Sequence, residues 1–378
     1  MKVIGIIAEY NPFHNGHKYQ IDKIKEKYPD SIIIVVMSGP FTQRGEISIL
    51  SKWDKATLAL EYGCDLVVEL PFSFATQSSD IFARGAVQIL NDLSIDTLVF
   101  GSESNDLEKL TKVACTQLYN ETYDLLVKNY LDLGYNYPTS MNKALEDCIH
   151  ISIEEPNDLL GISYIKEVFK QNKKIDIEII KRTNSYHSKD LKNKISSATA
   201  IREALKKNKD ISKYVPKKTE QLLKHNIFDE KEYFKLLKYK ILSTPDLSIY
   251  VDVDEGIEYR LKRYIKNSYT LEDYIKKVKT KRYTYNKIQR TLVHVLCNYT
   301  KDKNEKNKKV NYLRILGLSK NGRKHLNKIK KNTKIPILSK YYPILSYEME
   351  VTSIYSLLTI KKNDFIDQEY KNHPIIKR

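Results

Sequence analysis

Cysteine is scarce: Cys64, Cys115, Cys148 and Cys297 are the only four in 378 residues, and they stand far apart. None has the paired spacing of a zinc site, and no disulfide framework can be drawn from them, so reduced core thiols are expected. Long apolar runs are missing too. No stretch approaches the roughly 20 apolar residues of a membrane helix. Met1–Tyr10 lacks the charged head and small-residue cleavage site of a signal peptide. A cytoplasmic protein without membrane association is the expectation. There is no internal repeat, and 41% hydrophobic residues over this length suffice for more than one core.

Charge is unevenly shared. Residues 1–190 carry 27 Asp and Glu against 20 Lys and Arg, a net −7, whereas residues 191–378 carry 20 against 44, a net +24. Together they make the overall +17. A general enrichment in lysine would leave many of these side chains merely solvating helix faces. It cannot give opposite signs to two halves of one chain, so the C-terminal half is expected to meet a polyanion.

What is present reads first as strands alternating with helices. Lys2–Glu9 is a short apolar run followed by a polar turn and a helical pattern over His17–Tyr28. Ser31–Met37, Asp65–Leu70, Thr97–Phe100 and Ile175–Lys181 repeat the apolar, β-branched pattern. Such alternation predicts a parallel sheet covered on both faces, with ligands at the carboxyl ends of its strands. Glu108–Lys170 reads as mostly helical, Ser185–Lys194 as a polar loop, and Ser196–Leu205 as the start of a helix. From residue 206 onward, long lysine- and tyrosine-rich helical stretches follow, which places a domain boundary there. Lys301–Lys309 has no apolar face and is expected to be an exposed, mobile loop.

The strongest local signal is NPFHNGH over Asn11–His17, between the first strand and the first helix. Helix N-termini attract phosphate through free N–H groups and the helix dipole. Gly16 permits close backbone approach, and His14 and His17, three apart, can face the same anion. Paired imidazoles there suit stabilisation of charge as pyrophosphate leaves. The alternative is a pair of turn histidines without a role.

These residues resemble the HIGH-motif nucleotidyltransferase superfamily, which attacks the α-phosphorus of a nucleoside triphosphate. Its second signature, Ser-Ser-Thr-x-Ile-Arg, is matched by Ser197-Ala198-Thr199-Ala200-Ile201-Arg202, with Ala198 as the departure. Met37-Ser38-Gly39, Phe41, Gln43–Glu46, Asp65–Phe72, Phe100–Glu103, Glu155–Asp158, Lys181-Arg182, Thr280–Tyr283, Ile288–Arg290 and Leu313–Gly317 further resemble the bacterial tRNA(Met) cytidine acetate ligase family. Pro40 stands where asparagine is expected.

The resemblance implies a Rossmann-like α/β catalytic domain over residues 1–205 and a mainly helical, basic tRNA-binding domain over 206–378. It implies an ATP-dependent ligase that makes acetyl-adenylate from acetate, releases pyrophosphate, and acetylates the 4-amino group of the wobble cytidine of elongator tRNA(Met). Acetyl-coenzyme A is not the donor in that family, and Mg2+ is expected with ATP from phosphate chemistry. His14, His17 and Arg202 are the implied catalytic residues. ATP binding carries over to Ile7, Ala8, Glu9, Tyr10, Asn11, Pro12, Phe13, His14, Asn15, Gly16, His17, Lys18, Tyr19 and Gln20, and to Gly101, Asn157, Arg182, Ser197 and Thr199.

Three residues of the loop after the second strand, Gln43, Arg44 and Glu46, can hold acetate or cytidine, or form a polar surface loop. Asp65 and Glu69 can be read as paired carboxylates, but the apolar run between them and the strand pattern of the family make a structural or rim role the expectation. In the basic half, Lys281, Arg282, Tyr283, Lys287, Arg290 and Arg314 combine charge with an aromatic ring, as RNA-gripping surfaces do. Two other readings stay open: a cofactor-forming adenylyl- or cytidylyltransferase, and a non-catalytic RNA-binding protein with a vestigial nucleotide site.

Overall fold

Five apolar runs become five parallel strands in the computed structural model, which describes residues 1–171, 174–182, 195–224, 228–359 and 365–377. They are β1 (Val3–Ala8), β2 (Ile32–Ser38), β3 (Leu66–Leu70), β4 (Thr97–Ser102) and β5 (Asp176–Lys181), in the order β5-β4-β1-β2-β3. This is the doubly wound order, in which the chain moves outward from β1 through β3 and returns to β4 on the other side. The polar loop expected over Ser185–Lys194 lies outside the described residues.

Strand β2 is buried along its whole length, as a parallel strand covered on both faces should be. Ile32, Ile34 and Val36 join one core, with Phe82 and Ala86 of helix Ser79–Asp92 and Ile165 of helix Pro156–Lys170. Ile33, Val35 and Met37 point the other way, to Trp53, Ala56 and Leu60 of helix Lys52–Glu61. Register with β1 runs from Val3 opposite Ile32 to Ala8 opposite Met37, so both strands end level and release their loops into one crevice.

The sheet does not stop at β3. Strand β6 (Leu313–Leu318) lies antiparallel to β3, and β7 (Ile337–Leu338) and β8 (Ile375–Ile376) pair with β6. The expected division after residue 205 therefore separates two stretches of sequence but not the sheet, which takes strands from both. A separate helical core gathers Leu237, Leu261, Tyr274 and Leu292, and it also takes Phe41 and Phe72 from the N-terminal half.

The charged run Lys301–Lys309 was expected as a mobile loop; its first part is a helix, Lys301–Lys306. Thr300 caps it by accepting from the Lys303 N–H at 3.2 Å, and Lys301 and Lys303 reach Asp254 and Glu350. Local capping and ion pairing stand in for the missing apolar face. Among the described residues no helix is long and apolar enough to cross a membrane.

Candidate active site

The chain leaves β1 at Ala8 and enters helix Asn15–Lys27 through the motif turn, whose backbone conformation is set by its own side chains. His14 is the N-cap, and its Nδ1 accepts the Gly16 N–H at 3.0 Å. The Nδ1 of His17 accepts the His14 N–H at 3.2 Å. In a neutral imidazole the lone pair and the proton sit on different nitrogens, so both rings carry their proton on Nε2. The rings stack at 3.8 Å between centroids. Burial lowers His14 to about 3, assisted by Arg182 and Arg202; burial likewise lowers His17, assisted by His14 and Arg182. Both are therefore neutral hydrogen-bond donors at pH 7. A Cβ on Gly16 would stand 2.7 Å from Cε1 of His14 and displace that ring.

Tyr10 and Phe13 are buried and touch the His17 ring edge-on and tilted. The Asn11 amide holds the turn to the next loop, donating to Ile47 O at 3.1 Å and accepting from the Ile49 N–H at 2.8 Å. The Asn11–Pro12 peptide is cis. Asn15 binds the backbone of Lys213 and Tyr214. Lys18 pairs with Asp22 on the exposed face, and Gln20 donates to Val99 O of β4. Ile7 and Ala8 are half-buried at the strand end.

A cleft opens beside this helix start, lined by His14, His17, Tyr19, Gln20, Gly101, Arg182 and Ser197. It lies at the carboxyl ends of β1 and β4, where a doubly wound sheet binds its ligand. Arg182 follows β5; its backbone N–H reaches Ser102 O at 2.9 Å and its Nε stands 3.7 Å from Glu103. The Asn157 amide donates to the same Glu103 carboxylate. Asp158 accepts from Ser102, Glu103 N and Ser104 N, which shapes the turn after β4.

The second motif forms a helix start as expected. Ser197 caps helix Ala198–Lys206 by accepting the Ala200 N–H at 3.2 Å. Arg202 donates to Asn11 O at 2.7 Å, to Glu46 at 2.6 Å and to Thr199 at 3.4 Å, so it locks the motif turn to the loop after β2.

That loop is a tight hairpin in which Phe41 faces Ile47 and the Gly45 N–H reaches Thr42 O at 2.9 Å. Gln43 is doubly anchored, its N–H on Glu9 at 2.5 Å and its side-chain amide on Gln77 O at 2.7 Å. Gly45, at φ +76°, packs against the backbone of Gln289 and Arg290 so closely that a Cβ would stand 2.6 Å from Arg290 N. Gln43, Arg44 and Glu46 are thus set between the motif turn and the helical region. Burial lowers Arg44, with Glu9 and Glu46 opposing.

Sequence reasoning missed Lys55. It is fully buried and donates to Glu9 O at 3.1 Å, Ser38 O at 2.7 Å and Gly39 O at 2.8 Å, tying the ends of β1 and β2 together. Burial lowers it to about 7, while three carbonyls match the three donors of an ammonium. The signal was a lysine set between Trp53 and the mostly apolar helix stretch Ala56–Leu60.

The basic cluster does not stay together. Lys281 and Arg282 are exposed, and Lys287 is half-buried with its Nζ 5.6 Å from the Tyr283 ring centroid. The Tyr283 ring is 5% exposed and its hydroxyl donates to Glu255 O, so it offers no face for a base to stack on. Arg290 is largely buried beside Asp252. Arg314, expected to contact RNA, is 3% exposed on β6, with Nη2 2.6 Å from Glu369 and Nη1 3.6 Å from Glu69. Lys52 completes this knot, 2.7 Å from Glu69 and 2.8 Å from Glu369. Glu69 is structural, as expected, and so is Asp65, which accepts from Ile33 N and Ser319. Cys64 and Cys297 are buried; Cys115 and Cys148 are half-buried; all four are free thiols.

The family model for HIGH nucleotidyl transferases matches residues 1–370. The chain belongs to that class, and the particular branch follows from its relatives. It is 38% identical to a tRNA(Met) cytidine acetate ligase of Anoxybacillus flavithermus, across 99% of this chain and all of the relative. It is 36% identical to that of a Geobacillus species, over the full length of both. Two crystal structures of Thermotoga maritima TmcAL superimpose over the full length of both chains. The apo form gives a TM-score of 0.93 at 30% identity, and the form bound with alpha-thio ATP gives 0.90 at 29%.

Proposed function

We infer that this chain is an ATP-dependent tRNA(Met) cytidine acetate ligase. An acetate oxygen attacks the α-phosphorus of ATP, pyrophosphate departs, and the 4-amino nitrogen of a cytidine then attacks the acetyl carbon and releases AMP. The observation that carries the reading is the pair of neutral imidazoles at a helix start, each with Nδ1 occupied and Nε2–H free to donate. Donors fixed in advance stabilise the charge that builds on phosphate oxygens as pyrophosphate leaves, and they need no reorganisation. The helix N-terminus and Arg182 add positive potential from two further directions.

ATP enters the cleft beside His14 and His17, with Gly101 and Ser197 at its wall and with Asn157 and Arg182 both reaching the Glu103 carboxylate. Mg2+ would ride on the phosphates: among the described residues no group of three or more His, Cys, Asp or Glu is gathered to hold a metal. The exposed Lys281 and Arg282, with Lys287, form the RNA-facing part of the helical region; the acidic and basic halves divide activation from delivery. ATP–pyrophosphate exchange measured with and without acetate tests the first step. Exchange that requires acetate is expected. Exchange supported equally by a phosphorylated small molecule, or none at all, would contradict the reading.

A further inference from the structure

We propose that Glu9 takes the proton from the cytidine amine as it attacks the acetyl-adenylate; this rests on the function inferred above. Attack forms the C–N bond and breaks the acyl C–O bond, whose electron pair leaves on the phosphate of AMP. That phosphate oxygen needs no proton at neutral pH, but the nitrogen, bonded to a new carbon, must lose one. A base must therefore stand where the second substrate meets the first.

The obvious candidates are all occupied. Each motif imidazole has its one lone pair on Nδ1, already accepting a backbone N–H, so neither ring can receive a proton without breaking the turn. Lys55 is spent on three carbonyls. Glu46 faces the Arg202 guanidinium at 2.6 Å. Glu103 accepts from Asn157 and from Asp158 N, and Asp158 accepts from three donors of the β4 turn.

Glu9 differs. It follows β1 directly, next to the motif turn, and is half-buried, with Oε1 held by the Gln43 N–H at 2.5 Å. Among the described residues no donor engages Oε2. Gln43 is itself pinned to Gln77, so the carboxylate is oriented by one oxygen and available through the other. Its charged and titratable surroundings are Arg44 and Glu46 from the hairpin, Lys55 from helix Lys52–Glu61, and Tyr164 from helix Pro156–Lys170. Burial pushes the carboxyl up, opposed by the Gln43 N–H, and a raised carboxyl is the stronger base.

The test loads the full-length protein with labelled acetate and ATP, quantifies bound adenylate, and chases with tRNA, reading the transfer rate per loaded site against pH. Glu9→Gln keeps the acceptor for Gln43 and removes the base. The expected result is a fall in transfer of about 100-fold or more, with loss of the acidic limb that the unsubstituted protein shows. Glu9→Asp, tested alongside with thermal melts of both, should transfer at an intermediate rate and keep the limb. Transfer by Glu9→Gln within threefold of the unsubstituted protein overturns the proposal, and so does a folded Glu9→Gln protein that loads no adenylate. If the unsubstituted protein loads adenylate but never acetylates tRNA, the inferred function fails, and the role of Glu9 with it.

Discussion

At the scale of single residues, the turn fixes the tautomer through which His14 and His17 are proposed to act. Replacing either by alanine removes one preorganised donor and frees a backbone N–H, and acetate-dependent pyrophosphate exchange should drop about 100- to 1000-fold. Near-normal exchange in both variants would contradict their role. The same environment sets an acid dependence of stability. His14 titrates at about 3 when folded against 6.5 for the free side chain, so the unfolded chain binds more protons between those values. The contribution is whole above about pH 6.5 and is lost as pH falls toward 3. A series of melts from pH 7 to pH 5 should therefore show less loss for His14→Gln than for the unsubstituted protein.

At the scale of elements, β6 and the knot around it hold the C-terminal segment onto the catalytic sheet. Arg314→Ala would leave Glu69 and Glu369 facing each other with Lys52 as their one remaining cation among the described residues, at a cost of about 3–5 kcal/mol by denaturant unfolding. Full stability in that variant would contradict a structural role. The five parallel strands were legible because each is an apolar, β-branched run ending in a turn. Strand β6 was not: Leu313–Leu318 lies in lysine-rich surroundings and carries an arginine, and burial of that charge depends on Glu69 and Glu369, distant in sequence. The motif turn was legible from NPFHNGH alone. The roles of Lys55 and of the Gly45 contact with Arg290 were not, since both depend on which strand ends and which helix the fold brings together.

At the scale of the whole molecule, the separation of charge remains although the sheet crosses the sequence division. Only some of the +24 half is available to a polyanion, because Arg290 and Arg314 are held by internal acids. Replacing Lys281, Arg282 and Lys287 by alanine should weaken tRNA binding and flatten its salt dependence by roughly 0.7 to 0.9 per lost phosphate contact. An unchanged slope across a salt series would reduce those residues to surface solvation. The measurement that reaches furthest is the fate of labelled acetate. The full-length protein, given acetate, ATP and a bacterial tRNA pool, should place label on the 4-amino group of cytidine in methionine tRNA, with pyrophosphate and AMP released in step. Label that reaches tRNA from acetyl-coenzyme A but not from acetate and ATP would contradict the account.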